Sequence, residues 1–260
     1  PDKSQQKTAG IILVHMAGLI TPEVMEFKDF CHKNGLFLIE DSAHSPGAVF
    51  NGMESGSIGD VGCFSFFPSK VITSGEGGML TTNNDEIARF ARSFQNRGLD
   101  LNADEESYIL PGRNVRMTEM SALLGRIQHQ RLTELVNRRR DLVQVYIEQL
   151  SSVDDIKMIL PTDPKMSSFW KLPVLLDKRL DRTKLIKHFS KNNITIDCAY
   201  NPPLHMQPVI QSLYRTKYGQ LPITEDCLAR NINLPCHPRL SSDDVSFVCN
   251  KLKEFVQQQD

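Results

Sequence analysis

The chain has no apolar run near the roughly 20 residues needed to span a bilayer, which removes an integral helical membrane protein from consideration. It lacks a C-x-x-C pair. Its six cysteines (Cys31, Cys63, Cys198, Cys227, Cys236 and Cys249) are scattered, several within apolar runs. They read as reduced, buried thiols and argue against a disulfide framework or a cysteine metal site. A net charge of either sign is also missing. Thirty basic and 31 acidic residues leave −1, so no general affinity for nucleic acid or an anionic membrane is expected. The run Arg138-Arg139-Arg140 reads as a solvated helix face, with Glu134 and Asp141 as neighbours. The chain does not begin with methionine or with a signal-peptide pattern. Its Pro1-Asp2-Lys3-Ser4 opening suggests a fragment or processed form, and the cytoplasm is the expected compartment.

What is present is an ordinary globular composition, 40% apolar over 260 residues, enough for one large domain or two smaller ones. Gly10–Val14 and Leu36–Ile39 read as buried strands. Between them Pro22–Asn34 reads as a helix, with Val24, Phe27, Phe30 and Cys31 at helical spacing and Gly35 just past its end. Strand, helix, strand of these lengths is a βαβ unit and implies a parallel sheet. Further strands are expected at Gly62–Phe67 and Met79–Thr82. A helix over Asn84–Arg97 presents Ile87, Phe90, Ala91 and Phe94 on one face, with Asp85 and Glu86 suited to its N-terminal dipole. Thr118–Leu150 reads as one long helix or two in series, with Thr118 as N-cap. Beyond about residue 150 the pattern is that of a small α+β domain. Strands are expected at Phe169–Leu176 and Ile194–Tyr200, and helices at Asp181–Lys191 and Ser241–Gln257. Ser241 and Asp244 form a capping pair for the last helix.

Ligands of an open parallel sheet bind beyond the carboxyl ends of its strands. Asp41, His44, Ser65 and Lys70 all fall at or near such ends. Each has an ordinary reading: strand cap, core histidine, strand hydroxyl, surface lysine. Together they suit a pyridine cofactor. A carboxylate keeps a ring nitrogen protonated so that the ring can take up electrons. An amine held against an apolar wall such as Phe66-Phe67 is partly desolvated and suited to Schiff-base chemistry. Ser65 can bond a phosphate oxygen.

Several segments, in order, carry a family resemblance. Glu40-Asp41-Ser42-Ala43-His44-Ser45-Pro46-Gly47-Ala48 is followed by Phe64-Ser65-Phe66-Phe67-Pro68-Ser69-Lys70 and Gly75-Glu76-Gly77-Gly78-Met79. Then come Gly112-Arg113-Asn114-Val115-Arg116-Met117-Thr118-Glu119, Pro203-Leu204-His205 and Leu234-Pro235-Cys236-His237-Pro238. The chain resembles the C-terminal two-thirds of the DegT/DnrJ/EryC1/StrS aminotransferases. These are fold type I, pyridoxal-phosphate-dependent enzymes that act mainly on nucleotide-linked keto sugars.

The resemblance implies an α/β fold, with residues 1–136 the remainder of a large cofactor domain with a mostly parallel sheet. It makes residues 137–260 a small domain entered through a long helix. It implies that Lys70 bonds the cofactor and shuttles the proton, and that Asp41 partners the pyridine nitrogen. His44 would lie beside the phenolic oxygen and Ser65 on the phosphate. Asn114 would reach the phosphate of a second subunit, so a homodimer with shared sites is expected. His205 would lie near the sugar nucleotide and His15 at the edge of the site.

The implied substrates are a nucleotide sugar and an amino acid, glutamate or glutamine. Neither nucleic acid nor a membrane is an expected partner. The departures are Val71, where the family often has Asn, and Phe67, where His or Tyr is common. The family's Ser-Gly-Thr phosphate turn and its ring-stacking aromatic belong to a part that this chain does not match, so weak cofactor binding is expected. Two alternatives are a catalytically inactive binding or structural partner and a pyridoxamine-phosphate-dependent sugar dehydratase. The latter typically carries histidine in place of the lysine.

Overall fold

A computed structural model describes residues 7–198 and 200–259, so the Pro1–Ser4 opening lies outside the described residues. The chain forms two compact units. The first runs to Val136 and also takes in Pro161–Trp170. The second comprises Asn137–Leu160 and the residues from Lys171 onward. A simple division at 136/137 therefore misassigns Pro161–Trp170. Backbone hydrogen bonds tie that segment to the first unit, Ile20 N–H donating to the Met166 carbonyl and Ser168 N–H to that of Gly18.

In the first unit, β1 (Gly10–Val14), α1 (Val24–Asn34) and β2 (Phe37–Asp41) form the expected βαβ unit. Gly35 ends α1 in the left-handed conformation at φ 62°, which glycine adopts without a Cβ penalty. β1 and β2 run parallel, with Val14 opposite Asp41. β5 (Val61–Ser65) is parallel to β2, and β6 (Gly78–Thr81) is antiparallel to β5, giving the order β1-β2-β5-β6. Between β2 and β5, β3 (Val49–Phe50) and β4 (Met53–Glu54) make a hairpin. Its turn, Asn51-Gly52, has both φ angles positive, 49° and 80°, a pattern that suits these two residue types.

One face of the sheet packs on Ile20, Val24, Ala48 and Ile58, all fully buried, with Leu13, Phe50 and Met53 against them. α2 (Asp85–Gln95) is capped by the Asn84 side chain and α3 (Glu119–Gln130) by Thr118. The inward face expected for α2 is only partly covered, and Phe90 is 57% exposed. α3 buries none of its residues. Met120, Leu123, Leu124 and Ile127 make an exposed apolar stripe along it.

α4 (Leu132–Leu150) is separate from α3, because the chain leaves helical hydrogen bonding at Arg131. In the second unit β7 (Ile156–Met158), β8 (Leu172–Leu176) and β9 (Asn231–Leu234) form an antiparallel sheet in that order. It is joined by α5 (Arg182–Lys191), α6 (Pro208–Tyr214), α7 (Pro222–Arg230) and α8 (Ser242–Gln257). α8 starts with a capping box between Ser241 and Asp244. It buries Val245, Val248, Cys249, Leu252, Phe255 and Val256, one continuous helical face. Burial pushes the Cys249 thiol up to about 11.

Three sequence expectations need correcting in this unit. Its strand β8 starts at Leu172, not Phe169, because Phe169 sits at φ 48° and breaks an extended run. The strand expected at Ile194–Tyr200, of which Ala199 lies outside the described residues, reduces to one bridge between Asp197 and Asn233. The arginine run is not a uniform solvated face. Arg139 is buried and donates to the Cys236 carbonyl at 3.2 Å, while Arg138 is exposed and donates to that of Leu240 at 2.9 Å.

Candidate active site

The site is built where β1, β2 and β5 end together. Asp41 closes β2 and stays half-buried. Its Oδ1 accepts the Ala43 N–H at 3.1 Å, which fixes the carboxylate at the sheet edge. Its backbone carbonyl accepts from His15 N–H at 3.1 Å, and Ser42 N–H donates to the Cys63 carbonyl at 2.8 Å. The turn after β2 is thereby fastened to β1 on one side and β5 on the other. Burial and the negative charge of Asp41 push the Cys63 thiol up, in keeping with their opposed positions in the sheet.

Directly behind Asp41, Glu40 points the other way and is fully buried. Its Oε1 accepts the N–H groups of Ile58 (2.7 Å) and Gly59 (2.6 Å), and its Oε2 that of Gly56 (2.9 Å). Oε2 also meets His15 Nε2 at 2.8 Å. Burial pushes the Glu40 carboxyl up, but His15 and the backbone donors outweigh it and hold the group below the ordinary carboxylate range. His15, expected at the edge of the site, is itself fully buried beside Glu40 under the sheet edge.

Lys70 lies on the loop after β5. Its N–H donates to the Phe67 carbonyl at 3.0 Å, and Phe66 accepts from both Ser74 N–H and Thr73 Oγ1. The next two residues, Val71 and Ile72, are buried and anchor the loop, which gives the departure at Val71 a packing reason. The Lys70 amine lies 4.7 Å from the centre of the Trp170 ring, at cation–π distance. His44, buried, stacks on the same indole with centres 3.7 Å apart and planes 19° from parallel. Ser65 ends β5, half-buried, and its Oγ accepts from Phe67 N–H at 3.4 Å.

Asn114 is exposed in the segment between α2 and α3, bridged to Asn96. His205 belongs to the second unit. There it is buried, and its Nε2 meets Glu225 Oε1 at 2.9 Å. Burial pushes the Glu225 carboxyl up. Gly219 N–H, His205 and Leu221 N–H together bring it below its ordinary value.

Asp41, His44, Ser65 and Lys70 thus share the carboxyl-end edge of one sheet. Two residues there were not anticipated from the sequence. Glu40 carried a signal, a charge in step with Leu38 on the inward side of a strand. Trp170 carried none, since it arrives from a hundred residues downstream.

The donor set fits pyridoxal phosphate. It offers one primary amine, one carboxylate, one imidazole and one hydroxyl at one sheet edge.

Comparison with known proteins agrees. The chain belongs to the DegT/DnrJ/EryC1/StrS aminotransferase family, whose model matches residues 3–253. It is 31% identical over 255 residues to GDP-perosamine synthase of Vibrio cholerae, covering 97% of this chain and 68% of the relative. It is 31% identical over 264 residues to dTDP-4-dehydro-2,3,6-trideoxy-D-glucose 4-aminotransferase of Saccharopolyspora spinosa, covering 96% and 66%. It superposes on PseC of Helicobacter pylori, an aminotransferase involved in the biosynthesis of pseudoaminic acid. The TM-score is 0.88 at 25% identity, with 98% of this chain and 70% of that one covered. No helix among the described residues is long and apolar enough to cross a membrane.

Proposed function

We propose that this protein moves an amino group from an amino acid, glutamate or glutamine, to a keto group of a nucleotide-linked sugar. The observation that carries the reading is Lys70 on the loop after β5, its amine against Trp170, on the sheet edge where Asp41 ends β2. The relatives' names, one a GDP-perosamine synthase and one a dTDP-sugar 4-aminotransferase, support the substrate class. Lys70 favours amino transfer over the dehydratase alternative. The free thiols suit a reducing compartment such as the cytoplasm.

Pyridoxal phosphate supplies an aldehyde that takes an amine and a ring that absorbs electrons. Lys70 would hold it at the aldehyde carbon and later carry the proton taken from the α-carbon of the donor. Asp41 would keep a proton on the ring nitrogen. His44 would meet the phenolic oxygen, and Ser65 would donate to the phosphate. Asn114, exposed, is free of the constraint of a buried position and suits a contact with a second subunit's phosphate. The exposed stripe on α3 likewise favours a homodimer. His205 is assigned to sugar-nucleotide binding, with Glu225 as its support.

The assay supplies pyridoxal phosphate, L-glutamate or L-glutamine and a dTDP- or GDP-linked 4-keto sugar, and follows keto-acid release together with the aminated sugar by mass spectrometry. Stoichiometric formation of both is expected. Cofactor bonded at Lys70 without either product would overturn the activity and leave the inactive-partner alternative.

A further inference from the structure

We propose that Trp170 is a positioning residue of this site: its indole is the surface on which the Lys70 amine rests and against which the His44 ring is fixed. The proposal deepens the reading above and rests on it.

The position of Trp170 is set by the backbone around it. Ile20 N–H donates to the Met166 carbonyl at 2.9 Å, and Ser168 N–H to that of Gly18 at 3.0 Å. Ser168 Oγ donates to the His44 carbonyl at 2.8 Å. The indole N–H donates to the Ser69 carbonyl at 2.5 Å. Residues 166–170 therefore form a strap fastened to the segments after β1, β2 and β5. Gly18 permits the approach. It sits at φ 98°, and a Cβ there would lie 2.4 Å from Ser168 Oγ and 2.9 Å from the His44 carbonyl oxygen. Ser168 and Phe169 are buried, so the strap is a packed element.

This placement suits what the lysine must do. In amino transfer the amine alternates between a covalent bond and a free form, and the free form is cationic near neutral pH. The Trp170 face attracts the cation without itself taking its proton. The bond to the Ser69 carbonyl adds control of the backbone one residue before Lys70. The stack on His44 sets the plane of that ring. One side chain thus orients two groups on adjacent loops.

The proposal is tested on the full chain without pyridoxal phosphate. Formaldehyde and cyanoborohydride methylate free amines, and the extent at Lys70 is read by peptide mass spectrometry from pH 7.5 to 10. The other lysines of the same digest serve as reference. Titratable groups on the elements around this loop include His44, Asp41, Cys63, Glu76, Asp163 and Lys165, and all are kept in every variant compared.

Losing the cation–π contact lowers the amine's pKa, so W170A is expected to methylate at Lys70 about three- to ten-fold faster near the lower end of the range. W170F keeps a ring face and is expected to fall between W170A and the parent, which keeps the test informative if W170A folds poorly. Superimposable Lys70 profiles in the parent and W170F, or slower methylation in either variant, would overturn the proposal. Since the probe is formaldehyde, failure of pyridoxal phosphate to bond Lys70 would count against the proposed function and not against this result.

Discussion

Replacing Glu40 with alanine is expected to destabilise the first unit by about 3–5 kcal/mol, the loss typical when one member of a buried polar pair is removed. The carboxylate serves four donors at once: His15 and the N–H groups of Gly56, Ile58 and Gly59. Alanine leaves these groups unpaired in a dry environment, and each buried orphan costs about 1–3 kcal/mol. Urea denaturation of parent and variant measures the difference. A loss under about 1 kcal/mol would show that water or rearranged backbone replaces the carboxylate.

The pH dependence carries a sign. The folded-state pKa of Glu40 is lowered, so its contribution is complete above the unfolded value of about 4.3 and is lost as pH falls through the folded value. The parent should therefore lose its advantage over the alanine variant on the acid side, as pH falls from the unfolded value through the lower folded one, and not on the alkaline side. Glu→Gln keeps the shape and one acceptor oxygen and is expected to be the milder change. The consequence for chemistry is local, because Glu40 and Asp41 are neighbours on β2 and point to opposite sides of it.

Asp41→Asn is expected to slow removal of the donor's α-proton by about 100-fold or more, the size of effect seen when a preorganised charge is removed from a reacting centre. Asparagine retains an oxygen for the Ala43 N–H, so the turn should survive. The variant loses the negative charge that keeps a pyridine nitrogen protonated, and with it the ring's capacity to take up electrons. Loss of deuterium from 2-deuterated glutamate into water, followed with the cofactor-loaded protein, isolates this step. An unchanged rate would remove Asp41 from its assigned role.

Much of the first unit was legible because its signals are local. The run Gly10–Val14, the helix closed by Gly35 and the strand ending at Asp41 each follow from a few adjacent residues. So does the cap Thr118. The β5–β6 pair was legible as two strands but not as antiparallel, since direction is set by pairing and not by pattern. In the second unit β9 went unread, because Asn231-Ile232-Asn233-Leu234 is short and half polar. Asn233 is buried, and its N–H donates to the Asp197 carbonyl at 2.7 Å, a partner no local pattern reveals. Within the site, Asp41, His44, Ser65 and Lys70 could be singled out because each lies at or just after a strand end. Trp170 could not, because its place depends on the strap over Gly18 and His44. The pairing of His15 with Glu40 was not legible either, since it joins positions 25 residues apart.

The account stands or falls on Lys70 as the residue that bonds the cofactor. The direct measurement is to incubate the full chain with pyridoxal phosphate, reduce with borohydride and map the pyridoxyl group by peptide mass spectrometry. The group should be found predominantly on Lys70, with a visible absorption band before reduction that Lys70→Ala lacks. Labelling spread evenly over the surface lysines, or a band that survives Lys70→Ala, would contradict the account.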